Sequence, residues 1–225
     1  ENAFHRGISM LRINFTKKIK PIFSPLPSIH NMLSTAGGDL IGKNVAVITN
    51  DLKSIDKYKK SAEIENTYIN IVSWNDIEDK QKIHKDGFEK KVTNSLFGKI
   101  DIIINDVYLE EMPFSSELDK IEFDHKIILT IYQLLQLESD FLINQKKQSH
   151  IVNICRGATI GDKSLSRFIA TLTKGLGQCM CNHNIIVNGI CSNGDCNKTD
   201  MVKIAMFLAS RYGECLCGEV LELNN

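Results

Sequence analysis

The sequence predicts an α/β domain built on a doubly wound parallel sheet, and three observations carry that expectation. Short β-branched apolar runs recur along the chain. Stretches of helical length separate each run from the next. The central runs, such as Ile100-Asp101-Ile102-Ile103-Ile104-Asn105, are apolar at consecutive positions. That pattern suits strands covered on both faces, whereas a sheet with one wet face would alternate. Strands that alternate with helices lie parallel, because each crossover returns the chain to the same edge of the sheet.

Taken in order, Gly42-Lys43-Asn44 leads into a strand at Val45–Thr49, and a polar helix follows over 54–65. Tyr68–Val72 is a second strand. Asp76–Leu96 is a charged helix with Ile77, Ile83, Phe88, Val92 and Leu96 on its inner side. Ile100–Asn105 is the third strand, Phe123–Leu142 a long apolar-rich helix and His150–Ile154 the fourth strand. A helix over 164–181, a strand over 185–190, a helix over 199–210 and a last strand over 219–223 complete the chain. There is no internal repeat and no sign of a second core. Two regions result, an N-terminal extension over 1–41 and one domain over 42–225.

Composition sets bounds on function. Among 225 residues, 27 basic side chains balance 27 acidic ones, so no global field directs the protein to nucleic acid or to an anionic membrane. No apolar run approaches the roughly 20 residues of a membrane-spanning helix. Heavy use of Ile, Lys and Asn reads as AT-rich coding bias, which makes any single Asn or Lys weakly informative. All seven cysteines lie at or after Cys155, and an odd count with close pairs does not resemble a secreted disulfide framework. A reducing compartment is expected.

The extension differs from the rest. Arg6, Arg12, Lys17, Lys18 and Lys20 interleave with Leu11, Ile13, Phe15 and Ile19. The only acid before Asp39 is Glu1, and Pro21, Pro25 and Pro27 interrupt any helix. A basic, acid-poor leader of this kind is expected to direct import into an organelle, the mitochondrial matrix before the plastid, or to form an arm that lies on a partner. A solvated basic tail is the plain alternative.

The order of several phrases resembles the short-chain dehydrogenase/reductase family, especially its 3-oxoacyl-carrier-protein reductase-like members. The phrases are Gly42-Lys43-Asn44-Val45-Ala46-Val47-Ile48-Thr49, Gly98-Lys99-Ile100-Asp101-Ile102-Ile103-Ile104-Asn105, Ile151-Val152-Asn153-Ile154 and Leu172-Thr173-Lys174-Gly175-Leu176. Val187-Asn188-Gly189-Ile190, Thr199-Asp200-Met201, Phe207-Leu208-Ala209-Ser210 and Gly218-Glu219-Val220-Leu221 follow. The resemblance runs from about residue 42 to the end and implies a Rossmann-like fold, here shortened. On typical element lengths, one strand and one helix are missing before Gly98, and the substrate-covering helices are missing after Met201.

The resemblance also implies sites, and their positions hold other residues. A glycine-rich turn should follow the first strand, so that a pyrophosphate can approach backbone N–H groups at a helix start. Asn50, Ser54 and Asp56 stand at the glycine positions, and Asp51 and Asp56 would repel a phosphate. In the Asn-Asn-Ala-Gly phrase Asn105 stays, while Asp106, Val107 and Tyr108 replace the rest, with Tyr108 expected to enter the groove. The acid/base tyrosine and its lysine correspond to Asp162 and Ser166, with Lys163 and Arg167 nearby but out of register. The partner serine corresponds to Arg156, the relay asparagine to Thr130 and the Pro-Gly before the lid to Ser192-Asn193. An aspartate is ionised at neutral pH and has no proton to donate to a carbonyl.

Other residues suggest further chemistry, each beside a simpler role. Cys179-x-Cys181 and Cys215-x-Cys217 fall at the same edge of the sheet, where four thiolates could hold zinc or an iron–sulfur cluster. Small apolar thiols filling a core edge is the favoured reading, and whether these four bind a metal is left open by sequence. Cys191 and Cys196 fall at the opposite edge. His183 reads as a solvated helix end. Cys155 beside Arg156 is a nucleophile candidate, since a cation lowers a thiol pKa, but no His or Asp partner has matching spacing. Lys57, Lys59 and Lys60 read as a solvated helix face, with a phosphate contact as the sharper alternative.

The expectation is therefore a non-catalytic reductase-like domain, with no catalytic, cofactor-binding or metal-binding residue assigned and no cofactor. It would act as a structural subunit of a large mitochondrial assembly, such as a respiratory complex, an ATP synthase or the mitochondrial ribosome. Other protein subunits would be contacted partly through residues 1–41. Active members of the family pair helices across symmetric interfaces, so docking surfaces pre-exist. A divergent NAD(P)H oxidoreductase on a carbonyl or acyl thioester is the first alternative, and an RNA-contacting subunit the second.

Overall fold

The structure, a computed structural model, describes residues 40–74, 85–93, 99–109, 117–157, 163–193 and 198–224. The expectations for residues 1–39 lie outside it. Six parallel strands form one sheet: β1 (Asn44–Thr49), β2 (Tyr68–Ser73), β3 (Ile102–Leu109), β4 (Ser149–Gly157), β5 (Ile185–Asn193) and β6 (Val220–Asn224). The helices are α1 (Leu52–Glu65), α2 (Lys85–Thr93), α3 (Glu117–Gln145), α4 (Lys163–Met180) and α5 (Lys198–Ala209). Of the helix expected over 76–96, residues 85–93 are described and helical.

The strand order is β2-β1-β3-β4-β5-β6, and every pairing is parallel. The order reverses between β1 and β3. In doubly wound sheets the crevice outside the carboxyl ends of such a pair is where ligands bind. The standard 3-2-1 half of such a sheet has one more outer strand. Among the described residues that place beyond β2 is empty, as the short stretch before Gly98 predicts.

Period-two alternation sends neighbouring residues to opposite faces. Ala46, Ile48, Ile103 and Val107 join the core under α2, α3 and α4. Val45, Val47, Ile102 and Ile104 join the core under α1 and α5, together with Leu40. Both faces are thus apolar, which is why the strand sequences run without alternation. Leu40 is 1% exposed, so the last residues before β1 already belong to the packed unit.

Two features exceed the expectation. β3 continues past Asn105 to Leu109, because Val107, Tyr108 and Leu109 keep pairing with Cys155, Arg156 and Gly157 of β4. Two 3₁₀ turns, Cys181–His183 and Arg211–Leu216, carry the chain into β5 and toward β6. The second is capped by Ser210, whose hydroxyl accepts from the Tyr212 N–H.

Candidate functional site

The crevice at the switch point is lined by the turn after β1 and by the ends of β3 and β4. Asp51 is the N-cap of α1: its side chain accepts from the Lys53 N–H at 3.0 Å. Free N–H groups at a helix start attract anions. Here the chain supplies that anion itself, on a residue only 6% exposed. Thr49 accepts from the Asp51 N–H at 3.0 Å, and Ser54 donates back to the Asp51 carbonyl at 2.8 Å. The turn is therefore closed by side chains at the places where glycines would leave room.

Arg156 crosses the crevice from β4. Its Nη1 lies 3.0 Å from Asp51 Oδ2. Its Nε and Nη2 donate to the two carboxylate oxygens of Asp106 at 2.8 and 2.9 Å, the two-pronged geometry that makes Arg–carboxylate pairs strong. Tyr58, fully buried on α1, donates to Asp106 Oδ2 at 3.1 Å. The Tyr108 ring centroid lies 5.4 Å from the Arg156 guanidinium carbon. Asn50 completes the closure: its amide donates to the Tyr108 carbonyl at 2.7 Å and accepts from the Tyr108 N–H at 2.8 Å. The turn after β1 is thereby clasped to the end of β3.

Burial governs the titration of this cluster. It pushes Asp106 above the ordinary carboxylate value, against the pull of Arg156. Arg156 is pushed up although burial opposes it, because Asp106 and Asp51 favour its charge. Burial, then the charge of Asp106, drives the Tyr58 phenol well above 10. A reductase acid/base tyrosine needs the opposite, a phenol eased toward neutral pH by a nearby cation.

Among the described residues, those at the positions the resemblance marks as catalytic are not gathered into one reacting set. Asp162 lies outside the described residues. Ser166 on α4 sits 3.7 Å from the Cys155 thiol. Thr130 on α3 donates to the Lys126 carbonyl, and Arg167 is exposed. Arg156 faces the Asp51–Asp106 pair. Two expectations need correction. Asp56 lies on the exposed face of α1 and does not crowd the crevice. Cys155 is fully buried among α3 and α4 side chains, on the sheet face opposite Arg156.

Among the described residues no three His, Cys, Asp or Glu side chains are placed to hold a metal ion. Cys179, Cys181 and Cys215 are exposed, and Cys217 donates to the Gly177 carbonyl. No described helix is long and apolar enough to cross a membrane. Lys59 and Lys60 are exposed on α1, with Lys57 partly so.

Two polar residues escaped the sequence reading. Tyr58 lies in a run that reads as a polar helix, although an aromatic there marks the inward face. Glu138 lies in the middle of the apolar stretch of α3, and that position was the available signal. It is fully buried and accepts from the Asn105 amide at 2.9 Å. Asn105 also donates to Asn153, which donates to Thr173, so a polar chain runs through the apolar face. Burial raises Glu138 to about 8, with the Asn105 hydrogen bond opposing. It is therefore largely protonated at neutral pH.

No protein-family model and no curated protein matches the sequence. Solved structures do. A short-chain dehydrogenase from Leptospira borgpetersenii with bound NAD+ superposes with a TM-score of 0.64 at 16% identity, over 83% of this chain and 93% of that one. One from Mycobacterium smegmatis gives 0.62 at 12% identity, over 84% and 94%. The L-sorbose reductase of Gluconobacter frateurii, complexed with NADPH and L-sorbose, gives 0.59 at 12%, over 83% and 97%. The chain has the short-chain dehydrogenase/reductase fold. On that fold a dinucleotide would need the start of α1, and the residues present do not fit one. The Asp51 carboxylate already caps the helix, and a pyrophosphate brought there would meet a buried negative charge.

Proposed function

We propose that this chain is a non-catalytic member of the short-chain dehydrogenase/reductase family that serves as a structural subunit of a large mitochondrial assembly. One observation carries the non-catalytic part: the crevice that should receive a dinucleotide is spanned by the chain's own Asp51–Arg156–Asp106 ion pairs. The core that folds the sheet is intact beside it. The structural role rests on this pairing of a retained frame with altered sites. The mitochondrial assignment rests on the basic, acid-poor stretch from Arg6 to Lys20, and contact with partner subunits through residues 1–41 follows from the same stretch.

Calorimetric titration with NADH and NADPH tests the first part. No saturable heat is expected at micromolar ligand, and micromolar binding of either would sink the reading. Native-gel profiling of organelles tests the second: the chain should migrate with a large complex. Migration as a free monomer or simple homotetramer would overturn it. The competing reading, an NAD(P)H oxidoreductase, draws on the NAD+ and NADPH carried by two of the similar structures. An RNA-contacting role would show as association that falls steeply with salt.

A further inference from the structure

The four cysteines expected at one edge of the sheet are divided by the fold into a pair and two outliers. The end of α4 meets the turn before β6 at two glycines: a Cβ on Gly177 would stand 2.4 Å from the Gly218 Cα. Cys217, the residue before Gly218, is thereby held against the helix. Its thiol donates to the Gly177 carbonyl at 3.6 Å.

Cys181 reaches the same place from further along α4. It opens the 3₁₀ turn that continues the helix, one helical turn after Gly177. A helical side chain leans back over the turn before it, and the Cys181 thiol accordingly donates to the Gln178 carbonyl at 3.2 Å. The two sulfurs thus rest on the carbonyls of consecutive residues. A disulfide requires Cα atoms within about 7 Å and Cβ bonds that converge. The glycine contact draws the backbones together, and both thiols lean onto the last turn of α4. Cys179 follows Gly177 by about 200° of helical rotation, so it faces away from Cys217. Cys215 is exposed on the 3₁₀ turn Arg211–Leu216. Cys181 is exposed and Cys217 partly buried, so a reagent in solution reaches Cys181 first.

We infer that Cys181 and Cys217 form a dithiol site that accepts oxidation from a small disulfide of the glutathione class and closes into an intramolecular disulfide. The Cys181 thiolate attacks one sulfur of the small disulfide. A bond forms between that sulfur and Cys181, and the other small thiolate leaves. The Cys217 thiolate then attacks the Cys181 sulfur and displaces the first small thiolate. Both protein sulfurs are oxidised, the small disulfide is reduced to thiols, and the cysteine protons end on those thiols. The product ties the end of α4 to the turn before β6. The crevice takes no part in it.

The test treats the full chain with oxidised glutathione, quenches it with acid and maps the peptides by mass spectrometry. The Cys181–Cys217 link should exceed every other cysteine pairing about tenfold, because neighbouring groups react as if concentrated. Unfolding the chain in urea before oxidation should remove that preference. Cys217→Ser should stop the reaction at the mixed disulfide, with glutathione retained on Cys181. The inference is overturned if Cys181 pairs with Cys179 or Cys215 as often as with Cys217, or if the preference survives in urea. It also falls if Cys181 of the native chain keeps its glutathione as fully as in the Cys217→Ser variant.

Discussion

Arg156 is the residue on which the crevice depends. It sits 5% exposed between Asp51 and Asp106, at 6% and 2%. Removing one partner of a buried ion pair costs far more than the pair contributes, because the remaining charge is stranded. Arg156→Met should therefore lose about 3–5 kcal/mol at neutral pH. In that variant the stranded carboxylates bind protons more readily folded than unfolded, so its stability should recover as pH falls toward 5. Urea denaturation at two pH values measures this, and a loss independent of pH would contradict it. Glu138 works in the same direction in the native chain. Its folded pKa is about 8 against an ordinary value of 4.5. Between those values the unfolded state releases the proton and the folded state keeps it, so stability falls as pH rises through that window. Glu138→Gln should flatten this slope, so that the variant gains on the native chain at pH 8 relative to pH 5. An unchanged slope would place the proton elsewhere.

Among the elements, the approach of α4 to the turn before β6 is set by two glycines. A Cβ on Gly177 would run into the backbone of Gly218, which itself holds φ +84°. Neither backbone can yield cheaply, because Gly218 N donates to the Val187 carbonyl at 2.7 Å. Gly177→Ala should lose about 1–3 kcal/mol, the usual range for overpacking, although alanine is the better helix former. Gly175→Ala, two residues earlier on the same helix with open space around it, should instead be neutral or stabilising. A thermal melt of the pair separates packing from propensity. The clasp of Asn50 on Tyr108 also belongs to this scale. It joins the turn after β1 to the last pairs of β3, beyond the point near Asn105 where the apolar pattern stops.

For the whole molecule, the frame and the crevice obey different constraints. The sheet needs apolar residues of the right period, and many sequences supply them, so the frame persists at 12–16% identity to the three structures compared above. A dinucleotide site needs a bare helix start, and in the proposed reading the Asp51 carboxylate takes that place. Linkage gives this a measurable form. A ligand at 1,000 times its Kd adds about 4 kcal/mol of stability, so a micromolar dinucleotide site would raise the melting temperature plainly at millimolar NADH. We expect no rise for this chain, and a rise of several degrees would restore the enzyme reading.

The sequence by itself determined the alternation of elements, the parallel sheet with both faces covered, and the shortening before Gly98. Each follows from local periodicity, which is written in neighbouring residues. The family resemblance in it also implied that Asp51 lies in the turn after the first strand, Asp106 in the phrase after the third and Arg156 at the place of the partner serine. Their joining into one network was decided by tertiary structure, for any two of the three lie at least 50 residues apart and they meet only when β1, β3 and β4 end side by side. The same holds for Cys155 and Arg156, neighbours in sequence that the pleat sends to opposite faces. Proximity along a chain is local information, whereas charge compensation in a crevice is settled only where strands converge.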